Sequence, residues 1–181
     1  MTYRNVVSAV VRALAAETIN SAGGCDFEPK VQCAKQKGEI VGKEAAFLTD
    51  CWVFGRLHKG LSVEQWRALV ARYSTHEERK HVAILELINS VRSPASQRFS
   101  DCAVLTWAIP QIPGAEGKRS ATKLPDAWYD ITNWGNDGRP ESTRYRWRAS
   151  IKKWLDDQVN DALSDAGDIL ELEGLIESCA A

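Results

Sequence analysis

The fold is decided by the stretch STRYRWRASIKKWL, which runs from Ser142 to Leu155. A serine at its start can cap a helix, and the apolar pattern that follows predicts a helix of about 30 residues, to roughly Leu172. At about 100° per residue the apolar side chains of this helix fall on one face. These side chains are Trp147, Ile151, Trp154, Leu155, Ala162, Ala166 and Ile169. We therefore expect the protein to be built around one long amphipathic helix.

The same helix is divided by charge. From Glu141 to Lys153 five cations stand against one acid, whereas the stretch from Trp154 to Glu177 holds eight acids and no cation. Cations at a helix N-terminus and acids near its C-terminus both oppose the helix macrodipole, so this arrangement costs helix stability. We infer that the charge pattern serves an interaction with a group outside the helix.

The remaining segments predict a mainly α fold class: a helical bundle with a C-terminal helix-turn-helix-like unit and a flexible N-terminal arm. Periodic apolar residues indicate a first helix from Tyr3 to Asn20, and four glycines and four lysines mark the segment that ends at Lys43. No repeat and no strand pattern is evident. The expected order is an N-terminal helix over 1–22, a glycine- and lysine-containing arm over 23–43, a helical core over 44–109, a basic linker over 110–124 and the helix-turn-helix-like region over 125–177.

Short sequence signals predict where the other helices begin. Ser62 and Gln65 form a capping box, in which each side chain bonds the backbone amide of the other residue. Thr75 and Glu78 repeat this pattern, so two helices joined by a short turn should form a tight hairpin. We further expect a helix from Lys43 to Leu57, one that opens at Ser93-Pro94 and runs to Ile109, and a short one from Leu124 through Ile131.

The composition argues against secreted and membrane proteins. Its 44% apolar and 26% charged residues are ordinary for a globular protein, and no run of about 18 apolar residues indicates a membrane span. Arg4, Arg12 and Glu17 interrupt the N-terminal apolar positions, so this segment lacks the order of a secretory signal. Five cysteines without close pairing favour reduced thiols. We therefore expect a cytoplasmic protein with no membrane partner.

No motif indicates catalysis or a cofactor. Phosphate-binding, dinucleotide-binding and nucleophile-elbow patterns are absent from the sequence, so we expect no enzyme and no catalytic residue. His76 and His81 stand about 140° apart on a helix and cannot face one metal ion. No metal site is predicted, because the spacing favours plain thiols over a zinc site made from Cys25, Cys33, Cys51 and His58.

The front of the long helix carries the clearest functional pattern. Arg148 and Lys152 flank the apolar stripe, and a polar face beside it is formed by Thr143, Arg146, Ser150 and Lys153. A short helix, a turn and such a helix suit docking in the major groove, where arginine pairs with guanine and flanking cations hold phosphates. The helix N-terminus at Ser142 itself favours a phosphate. The alternative is a solvated face whose cations pair with acids of a neighbouring element.

Two stretches carry a resemblance to a known family: LSVEQWRALVARYS, from Leu61 to Ser74, and TRYRWRASIKKWL, from Thr143 to Leu155. The chain resembles, over about half its length, the Q-type transcription antitermination proteins of lambdoid phages and prophages. This resemblance implies a bacterial cytoplasmic protein whose partners are double-stranded DNA and RNA polymerase, with nascent RNA as a possible third. Such a protein binds a DNA element beside a promoter and is transferred to paused polymerase. It then narrows the RNA exit channel so that terminator hairpins cannot form.

The resemblance also assigns roles to residues. Residues 126–155 would read DNA, with phosphates held by Arg139, Arg144, Arg148 and Lys152. The arm would line the exit channel through Lys30, Lys35, Lys37 and Lys43. The whole set of candidate DNA-contacting residues is Arg139, Ser142, Thr143, Arg144, Arg146, Trp147, Arg148, Ser150, Lys152 and Lys153. Some members of the family bind zinc through paired cysteines, which this chain lacks, so no zinc requirement is expected.

Two other functions fit the same sequence. A conventional helix-turn-helix transcriptional regulator would use the C-terminal helix on DNA without travelling with the polymerase. A phage-derived helical inhibitor of a host protein would instead turn the basic helix toward an acidic protein surface. Salt-dependent DNA binding separates the inhibitor from the other two functions, and terminator readthrough separates those two from each other.

Overall fold

The computed structural model describes residues 3–21, 43–111, 124–135 and 138–176. These ranges contain six α-helices, which are α1 (Val6–Ser21), α2 (Lys43–Gly60), α3 (Val63–Tyr73), α4 (Glu77–Ser90), α5 (Gln97–Ala108) and α6 (Glu141–Leu172). Two 3₁₀ helices, Asp126–Trp128 and Ile131–Trp134, precede α6. The β pairing of the described ranges is one isolated bridge between Tyr3 and Ile176. The predicted mainly α fold class is confirmed.

The capping box at the start of α3 is confirmed by both of its hydrogen bonds. The amide of Gln65 donates to Ser62 Oγ over 3.3 Å, and the amide of Ser62 donates to Gln65 Oε1 over 2.8 Å. Helix α2 also begins as predicted but continues beyond Leu57 to Gly60. None of the helices in the described part of the chain is long and apolar enough to cross a bilayer.

Four predicted helix starts were wrong by one to three residues, and the first of these is α1, which begins at Val6 rather than Tyr3. Helix α4 is capped by His76 rather than Thr75, since His76 Nδ1 accepts the amide of Arg79 at 3.5 Å. The predicted start at Ser93-Pro94 is wrong because α5 begins after Ser96. Helix α6 begins at Glu141, so Ser142 lies inside the first turn instead of capping it. A residue that can cap a helix, such as Thr75, Ser93 or Ser142, need not stand at the helix boundary, so local sequence leaves the start uncertain by a few residues.

The short helix predicted before α6 is replaced by the two 3₁₀ helices. Asp130 caps the second of them: its Oδ1 accepts the Thr132 amide at 2.9 Å and the Thr132 hydroxyl at 2.7 Å. These two hydrogen bonds, helped by the positive charge of Arg144, hold the pKa of Asp130 below its ordinary value. The turn after it uses Gly135, whose φ of 142° is rarely open to residues with a Cβ.

The chain divides into two compact units. The first contains Met1–Leu61 and Leu163–Ala181, and the second contains Ser62–Ala162. Helix α6 therefore contributes its front to the second unit and its last turns to the first. The basic linker predicted at 110–124 lies largely in residues 112–123, outside the described residues, and stays a prediction.

The first unit is formed by α1, α2 and the end of α6. A buried hydrogen bond of 2.6 Å joins Tyr3 Oη to Asp50 Oδ1, and Arg12 pairs with the second oxygen of Asp50 at 3.0 Å. Burial and the bond to Asp50 raise the pKa of Tyr3. A Cβ at Gly60 would stand 2.6 Å from Ile169 Cδ1, so glycine allows α2 and α6 to approach closely.

The second unit is built on the hairpin of α3 and α4, against which α5 packs. Its interior contains fully buried side chains from α3, α4, α5, the second 3₁₀ helix and α6, including Leu69, Ile84, Leu87, Phe99, Val104, Trp134 and Leu155. Arg67 pairs with Glu86 across the hairpin at 2.7 Å, which is consistent with the tight antiparallel packing that the short turn predicted.

Replacing Ser62 by alanine should lower the free energy of unfolding by about 1 kcal/mol, because the amide of Gln65 loses its acceptor. Ser142→Ala is the matched control. Ser142 is exposed inside the first turn of α6, and its side chain makes no hydrogen bond to another described residue, so a change below about 0.5 kcal/mol is expected. Urea denaturation followed by circular dichroism measures both variants. Equal losses would contradict this assignment of the caps.

Candidate nucleic-acid interface

An aromatic cluster in the second unit holds the front of α6. The ring of Phe99 meets the indole of Trp134 edge-on, with 5.1 Å between centroids, and that of Trp147 edge-on at 5.8 Å. Phe99 and Trp134 are almost completely buried. Edge-to-face contacts at these distances favour one mutual orientation of the rings. The cluster therefore fixes which side of α6 faces the protein interior.

Arg144 faces inward, which corrects its prediction as a phosphate contact. The residue is only 9% exposed, and its Nη2 donates to the carbonyl oxygen of Gly135 over 2.6 Å. Its guanidinium carbon lies 5.9 Å from the centroid of Phe99, within range of a cation–π interaction. A side chain held in this way cannot also reach a phosphate in solvent, so Arg144 joins α6 to the turn before it.

Three further members of the predicted DNA-contacting set are half-buried. Arg148 lies with its guanidinium carbon 5.2 Å from the centroid of Trp134. Trp147 belongs to the aromatic cluster, and Thr143 is also partly covered. Trp147 was predicted both as a core residue and as a DNA contact, and its contact with Phe99 accounts for the first role.

The other predicted residues are exposed and form what we call the α6 basic face, made of Arg139, Ser142, Arg146, Ser150, Lys152 and Lys153. Among the described residues, the four cations of this face form no ion pair. The alternative interpretation required acids of a neighbouring element to pair with these cations, and the described part of the chain contains no such pair. The α6 basic face is therefore available to a negatively charged partner.

Sequence reasoning missed a polar pocket beside the α6 basic face. The pocket has a volume of about 450 Å³, and its wall includes Glu64, Asn89, Arg92, Ser150, Trp154 and Gln158. Ser150 belongs to both the pocket and the face. Trp154 was assigned to the apolar stripe, but it is half-buried in the structure. The sequence signal for this pocket was the position of Trp154 at the edge of that stripe, next to Lys153.

The remaining predicted site residues lie elsewhere. Lys30, Lys35 and Lys37 are outside the described residues, and Lys43 is the first residue of α2. Within the described ranges no three His, Cys, Asp or Glu side chains are grouped to hold a metal ion. Cys25 and Cys33, which were weighed as zinc ligands, are outside those ranges.

Comparison of the chain with protein-family models, curated proteins and solved structures gives no significant match. The resemblance to Q-type antitermination proteins therefore stays a prediction from the two sequence stretches that carry it.

Arg144→Ala should lower the free energy of unfolding by about 2 kcal/mol, because a charge-assisted hydrogen bond and a cation–π contact are lost. Arg146→Ala removes the same side chain two residues later from an exposed position, so it should change stability by less than about 0.5 kcal/mol. Urea denaturation of the two variants gives both values. If Arg144→Ala proved no more costly than Arg146→Ala, the inward role of Arg144 would be refuted.

Proposed function

We propose that the chain is a transcription antitermination factor that binds a promoter-proximal DNA element through the α6 basic face. The observation that carries the proposal is the set of four exposed cations on and just before the front of α6, none of which is ion-paired with another described residue. Arg146 and Lys153 share one side of α6, whereas Lys152 lies on the other flank of the apolar stripe and Arg139 precedes the helix. Uncompensated exposed cations provide the sequence-independent attraction on which DNA binding depends.

The spacing along α6 suits a DNA groove. Arg146 and Lys153 lie two turns apart on one side of the helix, about 10 Å along its axis at the usual rise per residue. A B-DNA major groove is about 12 Å wide and admits one α-helix. In this proposal Arg146 pairs with a guanine edge, while Lys152 and Arg139 are the flanking cations that hold phosphates.

The elements before α6 change the expected mode of docking. In a helix-turn-helix protein the first helix crosses the DNA backbone and the second enters the groove. Here two 3₁₀ helices take the place of that first helix, and Arg144 ties the turn after them to α6 through Gly135. We therefore propose that α6 docks by its own front turns, supported by a rigid aromatic base.

The role on RNA polymerase is the finer part of the proposal and rests on the sequence resemblance. A protein that binds DNA near a promoter without engaging polymerase would be a conventional regulator. The two functions share the α6 basic face, so DNA binding alone does not distinguish them. Readthrough of a terminator in a purified transcription system does distinguish them, because only an antitermination factor acts after initiation.

Arg146→Ala should weaken binding to the specific DNA element by about 1–3 kcal/mol, because a bidentate contact to a base is lost. The element is first obtained by selecting bound fragments from a random DNA pool. Lys152→Ala should reduce affinity for all sequences alike and lower the steepness of the salt dependence. Lys59→Ala, which removes an exposed cation from α2, is the control and should leave affinity unchanged. Unaltered affinity in the Arg146 variant would refute the DNA-binding assignment.

Adding the protein to polymerase on a template with the selected element and a downstream intrinsic terminator should increase full-length transcript. Arg146→Ala should lose this effect at the same protein concentration, because the factor is no longer recruited. A template with a scrambled element is the control and should show no increase. Specific DNA binding without any readthrough would support a conventional regulator and exclude antitermination.

A further inference from the structure

The pocket beside the α6 basic face has the composition of a site for a flat polar ring. Trp154 supplies an aromatic wall, and the amide side chains of Asn89 and Gln158 lie at other parts of the wall. Neither amide is hydrogen-bonded to another described residue. Each amide offers both a donor and an acceptor, the combination that matches the edges of nucleobases.

The size and charge of the pocket narrow the ligand further. A volume of about 450 Å³ is large enough for one nucleotide and falls within the range of small-ligand sites. Glu64 can accept from an exocyclic amino group, and the exposed cation of Arg92 can hold a phosphate at the rim. Stacking on an aromatic side chain with hydrogen bonds to the base edge is the usual way to bind an unstacked base.

The pocket is continuous with the surface that we propose for DNA. Ser150 lines the pocket and belongs to the α6 basic face, while Lys153 and Trp154 are adjacent on the same turn of α6. A nucleic-acid backbone held by Lys153 would therefore pass the mouth of the pocket. A base turned out of its stack at this point would meet Trp154, whereas a base within an intact duplex could not enter.

We infer that the pocket binds one unpaired nucleobase of the nucleic acid held on the α6 basic face. This inference rests on the proposed function and deepens it, because it specifies a target with a locally opened or single-stranded position. Unpaired bases occur both in melted DNA and in RNA. The shared feature is an unstacked base beside a phosphate backbone, and the test separates the two sources.

The test compares two labelled DNA duplexes of the selected element by fluorescence anisotropy, one fully paired and one with a single unpaired nucleotide. The wild-type protein should prefer the second duplex by about tenfold, in line with one stacked and hydrogen-bonded base. Joint replacement of Asn89 and Gln158 by alanine should reduce that preference, because the hydrogen bonds to the base edge are lost while Trp154 can still stack, and should leave affinity for the paired duplex unchanged. Asn160→Ala, an exposed change on α6 outside the pocket, is the matched control and should keep both properties.

Two further experiments distinguish the possible explanations of the binding result. The same pair of probes in RNA identifies the source of the base, since a preference confined to RNA would assign the pocket to a transcript. Nucleoside monophosphates titrated into isotope-labelled protein should shift the side-chain amide signals of Asn89 and Gln158.

Equal affinity of the wild type for the paired and unpaired probes, in DNA and in RNA, would overturn the pocket assignment while the proposed function stands. If no nucleic acid binds but monophosphates shift those amide signals, the pocket is supported and the proposed function fails. If no nucleic acid binds and monophosphates have no effect, both are refuted.

Discussion

The edge contacts of Phe99 with Trp134 and Trp147 fix the rotation of α6 about its own axis. Because Phe99 is completely buried between α5 and these indoles, α6 cannot turn without opening a densely packed core. That rotation decides the character of the surface, since it places Arg144 on an aromatic ring and leaves Arg146 in solvent. The α6 basic face is thus a consequence of how the aromatic core packs.

Where a structural signal is local, the sequence was sufficient to predict it. The capping box at Ser62 needs only two hydrogen bonds within four residues, and both form. The apolar stripe of α6 was also predictable, and most of it is buried, including Ile151, Leu155, Ala162 and Ala166. The start of α5 was not predictable in this way. Ser93 and Ser96 can both cap a helix, and Ser96 stands at the N-cap position although its side chain makes no capping hydrogen bond.

The spacing of the sequence indicated that Arg144 faces inward, but its charge led to its assignment as a surface residue. Arg144 precedes Trp147 by three residues and Ile151 by seven, a spacing that places it in the apolar stripe itself. An arginine can occupy such a position because its stem is apolar and its guanidinium packs on aromatic rings. The hydrogen-bond acceptor of Arg144 could not be predicted from neighbouring residues, because the carbonyl of Gly135 comes within reach only through a turn with positive φ.

The charge division of α6 lies several residues before the division of the chain into two units, since the charge changes after Lys153 and the second unit ends at Ala162. The cations of α6 all precede Ala162 and belong to the second unit, whereas the last acids belong to the first, where Glu173 pairs with Arg56. This ion pair compensates one acid just beyond the end of α6. At the basic end, Arg146 and Lys153 have no acidic partner among the described residues, and they also oppose the helix macrodipole. A bound phosphate backbone would supply compensation at this end, where the fold supplies none within the described ranges.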